Sequence, residues 1–225
     1  MTRRPLLRSL LRSLLPSLLV FVALLPFAAA AATPQPALVE GTDYEVIEGG
    51  TPLAPVKGKV EVVEVFGYTC PHCAHFQPTV SAWAKKNAKV VNFIPMAAPF
   101  GGSWQPYAQA YYAAQVLGVA EKSHDAMFLA LHTDGSLPLR NATPGEIAPF
   151  YARYGVDQAK FLATYDGADV AARIAKAEQF IKRSGVKGTP TLVINGRYRV
   201  IGHDFTDVLR IADQLVARER DGKTR

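Results

Sequence analysis

The two cysteines of this chain lie three residues apart, in Cys70-Pro71-His72-Cys73, at a point where a strand pattern gives way to a helical one. Upstream, Val60-Glu61-Val62-Val63-Glu64-Val65-Phe66 is rich in β-branched residues, contains no turn former and ends at Gly67, which predicts a buried strand. Downstream, Cys73, Phe76, Val80 and Trp83 recur at helical spacing, so the cysteine pair opens a helix whose apolar face turns inward. Pro78 falls inside that helix, where it removes a backbone hydrogen bond and presses on the carbonyl of Ala74, and a kink is expected there. Val90-Val91-Asn92-Phe93-Ile94 then reads as a second strand, stopped by Pro95. Strand, cysteine-bearing helix and strand make a βαβ unit.

Cysteines at this spacing on a helix start are chemically unequal. The first meets the free N–H groups of the first turn and the positive end of the helix dipole, which favour a thiolate. The second lies one turn on, beneath the first and facing the core. Attachment of c-type haem requires a histidine directly after the second cysteine, and Ala74 stands there. A zinc site requires about four ligands; Cys70, His72, Cys73 and His75 are crowded on a turn and a half, with no second cysteine pair. A purely structural disulfide would close so short a loop that little entropy is gained. Redox chemistry is the reading the spacing favours.

The formal charge of +6 does not signal a nucleic-acid partner. Residues 1–32 hold Arg3, Arg4, Arg8 and Arg12 and no acid, leaving 21 basic and 19 acidic residues in the remainder, a net of +2. The arginine-bearing start, the apolar run Leu18 to Leu25, Pro26 and the small residues Ala28 to Ala32 have the layout of a secretory signal peptide with an A-x-A cleavage site. Residues 14–32 could also be read as an uncleaved anchor, against which Pro16, Ser17 and Pro26 count. The mature chain is expected to begin near Thr33 and to work where disulfides persist.

Tyr44-Glu45-Val46-Ile47 has weak, edge-strand character. From 104 to 165 the chain reads as several short helices: Tyr107, Ala110, Tyr111, Ala114 and Leu117 form an apolar stripe closed by Gly118, and Thr143-Pro144-Gly145-Glu146 has capping-box spacing with proline at the first helical position. That cap accounts for Thr143, which also completes the chance-level sequon Asn141-Ala142-Thr143. A longer helix turns Val170, Ile174, Ala177 and Ile181 inward and stops at Gly185. Asn195-Gly196, between Thr191–Ile194 and Arg197–Ile201, is a strong hairpin signature because both turn positions need positive φ. A helix over about 205–218 closes the chain.

Three segments carry a resemblance over nearly all of the mature chain: Glu64-Val65-Phe66-Gly67-Tyr68-Thr69-Cys70-Pro71-His72-Cys73, Pro99-Phe100-Gly101-Gly102-Ser103-Trp104, and Gly185-Val186-Lys187-Gly188-Thr189-Pro190-Thr191. The sequence resembles the DsbA family of thioredoxin-fold thiol-disulfide oxidoreductases. The spacing agrees: Pro190 lies 117 residues after Cys73, whereas one helix, one strand, a second helix and their connections need about 40 to 45, leaving roughly 70 for an insertion. The resemblance implies an α/β, thioredoxin-like fold with a helical domain inserted between the active-site βαβ unit and the cis-Pro hairpin. The expected division is a signal peptide over 1–32, thioredoxin-like parts over 33–97 and 176–225, and the inserted helices over 98–175.

The resemblance further implies that Cys70 is the exposed nucleophile and Cys73 its buried partner, with Pro71 between them and His72 stabilising the Cys70 thiolate. His75, a turn further on, has no assigned partner. Thr189-Pro190 matches the loop whose proline is cis and which aligns a substrate strand beside the first cysteine; the residues alone leave an ordinary trans turn open. Glu64 matches a glutamate beneath the motif that helps to move the proton of the buried cysteine, and a solvent-facing glutamate is the plain alternative. Its lysine partner in the family would fall at Ala88 or Lys89 when aligned on Val91-Asn92-Phe93, a departure from the family pattern.

The implied function is that of a monomeric periplasmic dithiol oxidase, without metal or organic cofactor. It would give its Cys70–Cys73 disulfide to unfolded exported proteins and be reoxidised by a quinone-linked membrane oxidase resembling DsbB. Two competitors remain: a disulfide isomerase or reductase of the same fold, against which the short stretch from Thr33 to Val60 argues because it cannot hold a DsbC-type dimerisation domain, and a non-catalytic module that holds unfolded chains.

Overall fold

The strand read before the cysteines is buried along its whole length. The structure is a computed structural model that describes residues 36–222; the expected signal peptide, residues 1–32, lies outside them. Tyr44–Val46 forms β1, Val60–Phe66 β2, Pro71–Asn87 α1 and Val91–Ala97 β3. After a 3-10 turn at Gly102–Trp104 come α2 (Gln105–Val116), α3 (Ala120–His132), α4 (Pro144–Ala152), α5 (Gln158–Tyr165) and α6 (Ala168–Arg183). Thr191–Ile194 (β4), Tyr198–Val200 (β5) and Phe205–Asp221 (α7) complete the order. The sheet runs β1-β5-β4-β2-β3, with β2 and β3 parallel and the other pairs antiparallel.

Every residue of β2 is buried because both faces of the sheet are covered. On one face Val60, Val62, Leu192 and Ile194 pack with Phe76, Val80 and Trp83 of α1 and Leu209, Ile211 and Leu215 of α7. On the other, Val63, Val65 and Val193 pack with Ala110 and Tyr111 of α2 and Ala177, Phe180 and Ile181 of α6. The predicted inward residues of α1 are buried, and so are Tyr107, Ala110, Tyr111 and Ala114 of α2; Leu117 lies past the end of α2 and is half-buried, and Ala108, Tyr112 and Ala113 are buried beside the expected stripe.

The chain departs from the sequence reading at Pro95, which was expected to stop the second strand; β3 continues to Ala97. In this parallel pair Ala98 N–H donates to the Phe66 carbonyl at 2.8 Å, so the backbone groups of Pro95 and Ala97, out of phase with it, point away from β2. Proline loses no ladder bond at such an edge position. The two outward carbonyls are covered from α2, where Tyr111 donates to Pro95 O at 2.8 Å and Tyr112 to Ala97 O at 2.7 Å. Pro78 lies on the exposed face of α1, and the helix continues through it to Asn87.

The capping box forms as the spacing predicts, with Glu146 N–H donating to Thr143 Oγ1 and Thr143 N–H to Glu146 Oε2. Asn195 and Gly196 both have positive φ, at 51° and 66°, and the hairpin closes over them. The expected junction at 175/176 falls inside α6, which runs unbroken from Ala168 to Arg183 and so offers no break in secondary structure there. Among the described residues no helix is long and apolar enough to cross a membrane.

Candidate active site

Cys70 is the N-cap of α1, with extended backbone (φ −85°, ψ 118°), and Pro71 follows in the first turn, where its missing N–H and fixed φ cost nothing. The Cys70 N–H donates to Gly67 O at 3.1 Å, turning the chain from β2 into the helix. Cys73, one turn on, is fully buried, and Cys70, expected to be the exposed sulfur, is buried as well, with 6% exposure, because the Thr189 loop lies against it. The two are free thiols.

Their environments push the thiols apart. The Cys73 thiol donates to the Cys70 sulfur and, with Thr189 and the backbone N–H groups of Cys73 and His72, holds the Cys70 pKa well below the ordinary thiol value against the opposing effect of burial. Burial first, and then the donated hydrogen bond, push the Cys73 thiol up. At neutral pH the Cys70 sulfur is a thiolate and the Cys73 sulfur beneath it a protonated thiol.

From the far side of the sequence, the loop before β4 brings Thr189 against Cys70, whose thiol donates to the Thr189 carbonyl at 3.5 Å when protonated. The Thr189–Pro190 peptide is cis. The Thr189 hydroxyl is buried without a hydrogen-bond partner.

Glu64 is fully buried, not solvent-facing, and neither carboxylate oxygen has a hydrogen-bond partner. It shares strand parity with Val60 and Val62, which pack against α1, so its side chain leaves the sheet toward the helix that carries Cys73. Burial alone raises its pKa from 4.5 to about 8, so it is an uncharged acid at neutral pH. Neither position expected for a lysine partner supplies one: Ala88 caps the end of α1 and Lys89 is exposed.

The His72 side chain is exposed, and its part in the site runs through its backbone N–H. His75 is exposed as well. Among the described residues no three His, Cys, Asp or Glu side chains come together as a metal ion would need.

Sequence reasoning missed three residues next to the site. Tyr68, two residues before Cys70, is buried; its hydroxyl pairs with His124 Nδ1 at 2.8 Å, and its carbonyl accepts from His132 Nε2 at 2.7 Å. Both histidines come from α3, eight residues apart, a spacing that puts them on one helix face with Phe128 between. That spacing was a legible signal.

A parallel βαβ unit with an N-capping thiolate over a buried thiol, faced by a Thr-Pro loop from the adjoining antiparallel hairpin, defines a thiol:disulfide oxidoreductase of the thioredoxin fold. The family model described as "Thioredoxin" matches residues 50–213. The "Thiol:disulfide interchange protein DsbA" of Pseudomonas syringae pv. tomato is 37% identical over 207 residues, covering 90% of this chain and 92% of that protein, and that of Burkholderia cepacia is 34% identical over 204 residues, covering 88% and 94%. The crystal structure of the oxidoreductase DsbA from Xylella fastidiosa superposes with a TM-score of 0.80 at 54% identity, covering 82% of this chain and 98% of that one. The chain belongs to the DsbA family of thiol:disulfide interchange proteins.

Proposed function

We propose that this oxidoreductase works in the periplasm, delivered there by the segment over residues 1–32, and donates its Cys70–Cys73 disulfide to exported proteins that have not yet folded. The observation that carries this reading is the opposed pair of thiols: an oxidant is made by stabilising the reduced form, and a Cys70 sulfur held well below the ordinary thiol pKa, chiefly by the Cys73 thiol beside it, is such a stabilisation.

A substrate thiolate attacks Cys70 Sγ; the Cys70–Cys73 bond breaks, and its electron pair leaves on Cys73. Glu64, protonated at neutral pH, is the acid that returns a proton to the buried sulfur, whose own raised pKa demands one. A second substrate thiolate attacks the substrate sulfur of the mixed disulfide, and Cys70 departs as its stabilised thiolate. The substrate has lost two electrons and gained a disulfide; the enzyme holds a Cys70 thiolate and a Cys73 thiol. The Thr189 backbone beside Cys70 is where an extended substrate strand pairs. A quinone-linked membrane oxidase resembling DsbB takes the two electrons onward, and the protein acts as a monomer.

Replacing Cys70 with Ser tests catalysis against simple holding of unfolded chains. The expected result is complete loss of oxidation of a reduced, unfolded model protein with partial retention of binding to it. Retained oxidation would contradict the assignment of Cys70.

A further inference from the structure

Gly67, Tyr68 and Thr69 form the only link between β2 and the cysteine helix, and it is held from two sides. Trp104 lies so close behind Gly67 that a Cβ there would come within 1.9 Å of the indole ring. Opposite it, α3 grips Tyr68 at both its side chain and its backbone, through His124 at 2.8 Å and His132 at 2.7 Å. Phe128, between the two histidines, packs at 5.0 Å from the Tyr68 ring and 5.3 Å from His124.

We infer that His132 and His124 are positioning residues of the redox site, which fix Tyr68 and through it the placing of the Cys70 sulfur against its hydrogen-bond donors. Covering the sheet does not by itself explain them. Apolar residues at 124 and 132 would cover it at lower cost, because His124 is buried to 7% exposure with its Nε2 unpartnered, and burying such a group is unfavourable. What the histidines add is two directed bonds on a residue two positions from Cys70. The Tyr68 carbonyl accepts the His132 N–H, and the next turn of chain closes with the Cys70 N–H on Gly67 O. The Cys70 sulfur lies 3.5 Å from the Thr189 carbonyl and beside the Cys73 thiol; loosening the link frees the N-cap residue to swing and changes both placings together.

This rests on the reading of Cys70 as the thiolate-forming sulfur. Alkylation of Cys70 against pH reads that thiolate directly, so the test stands whether the parent protein proves to be an oxidase or a reductase. In His132→Leu the alkylation midpoint should rise by about one pH unit, a tenfold loss of thiolate on the flank of the titration. The reduction potential should fall correspondingly by about 30 mV, the tenfold change in a two-electron couple. His132→Gln, whose Nε2 can donate from the same place, should restore both values. If His132→Leu does not fold, Tyr68→Phe supplies the same readout, since it keeps the ring and loses only the bond to His124. A lowered melting temperature with unmoved midpoint and potential, in whichever variant folds, would overturn the proposal and leave the histidines as packing alone.

Discussion

Glu64 shows how a single side chain can be set against the stability of the fold. Its pKa is about 8 in the folded protein and near 4.5 when exposed, so between those values the folded state holds a proton that the unfolded state has lost. Stability from this residue is complete below pH 4.5 and falls as pH rises toward 8, by about 3 kcal/mol at pH 7. Glu64→Gln removes the titration. Urea unfolding of variant and parent should give a stability difference that grows in the variant's favour by about that amount between pH 4.5 and pH 7. Parallel pH profiles would contradict a buried, unpaired carboxyl. The proposed proton transfer from Glu64 to Cys73, whose own pKa burial raises, would give that cost a use.

At the scale of the elements, β3 is an edge strand whose last two outward carbonyls, of Pro95 and Ala97, are capped by tyrosines. Tyr112→Phe leaves the Ala97 carbonyl buried without its donor and should cost about 1 to 3 kcal/mol. Chemical denaturation of the purified variant measures this; no loss would mean that another group satisfies the carbonyl. This edge also shows why part of the fold was hidden from the sequence. Local signals placed β2, α1, the Asn195-Gly196 turn and the Thr143 cap, because in each the determining residues lie within a few positions of one another. Pro95 stops a strand only if a neighbouring carbonyl needs an N–H at that position, and whether it does depends on β3 lying at the sheet's edge, which only the assembled order decides. The site divides in the same way. Cys70 and Cys73 announce themselves through residue type and spacing, and the Thr189-Pro190 loop through the family resemblance alone, since its residues left an ordinary trans turn open. The burial of Glu64, the exposure of the His72 ring and the hold of His124 and His132 on Tyr68, across 56 and 64 positions, are tertiary facts.

For the whole molecule, a thiolate stabilised by folding ties redox state to stability. The unfolded chain has an ordinary dithiol, so whatever raises the folded protein's reduction potential must, around a closed cycle, make the reduced form the more stable one. Thermal unfolding at pH 7 should therefore show a higher melting temperature for the reduced protein than for the oxidised. Because the Cys70 pKa is depressed, this advantage is present above the ordinary thiol pKa and is lost as pH falls through the lowered one, so the two melting curves should converge in acid. A more stable oxidised form would mean that the disulfide is structural.

The most direct measurement is the equilibrium reduction potential of the mature protein in glutathione buffers, with the thiol state of Cys70 and Cys73 followed by alkylation and mass. The account predicts a value well above the glutathione couple, where the reduced form is favoured. A value near about −270 mV, that of thioredoxin, would contradict an oxidase and make the same fold and the same two sulfurs a reductase or isomerase.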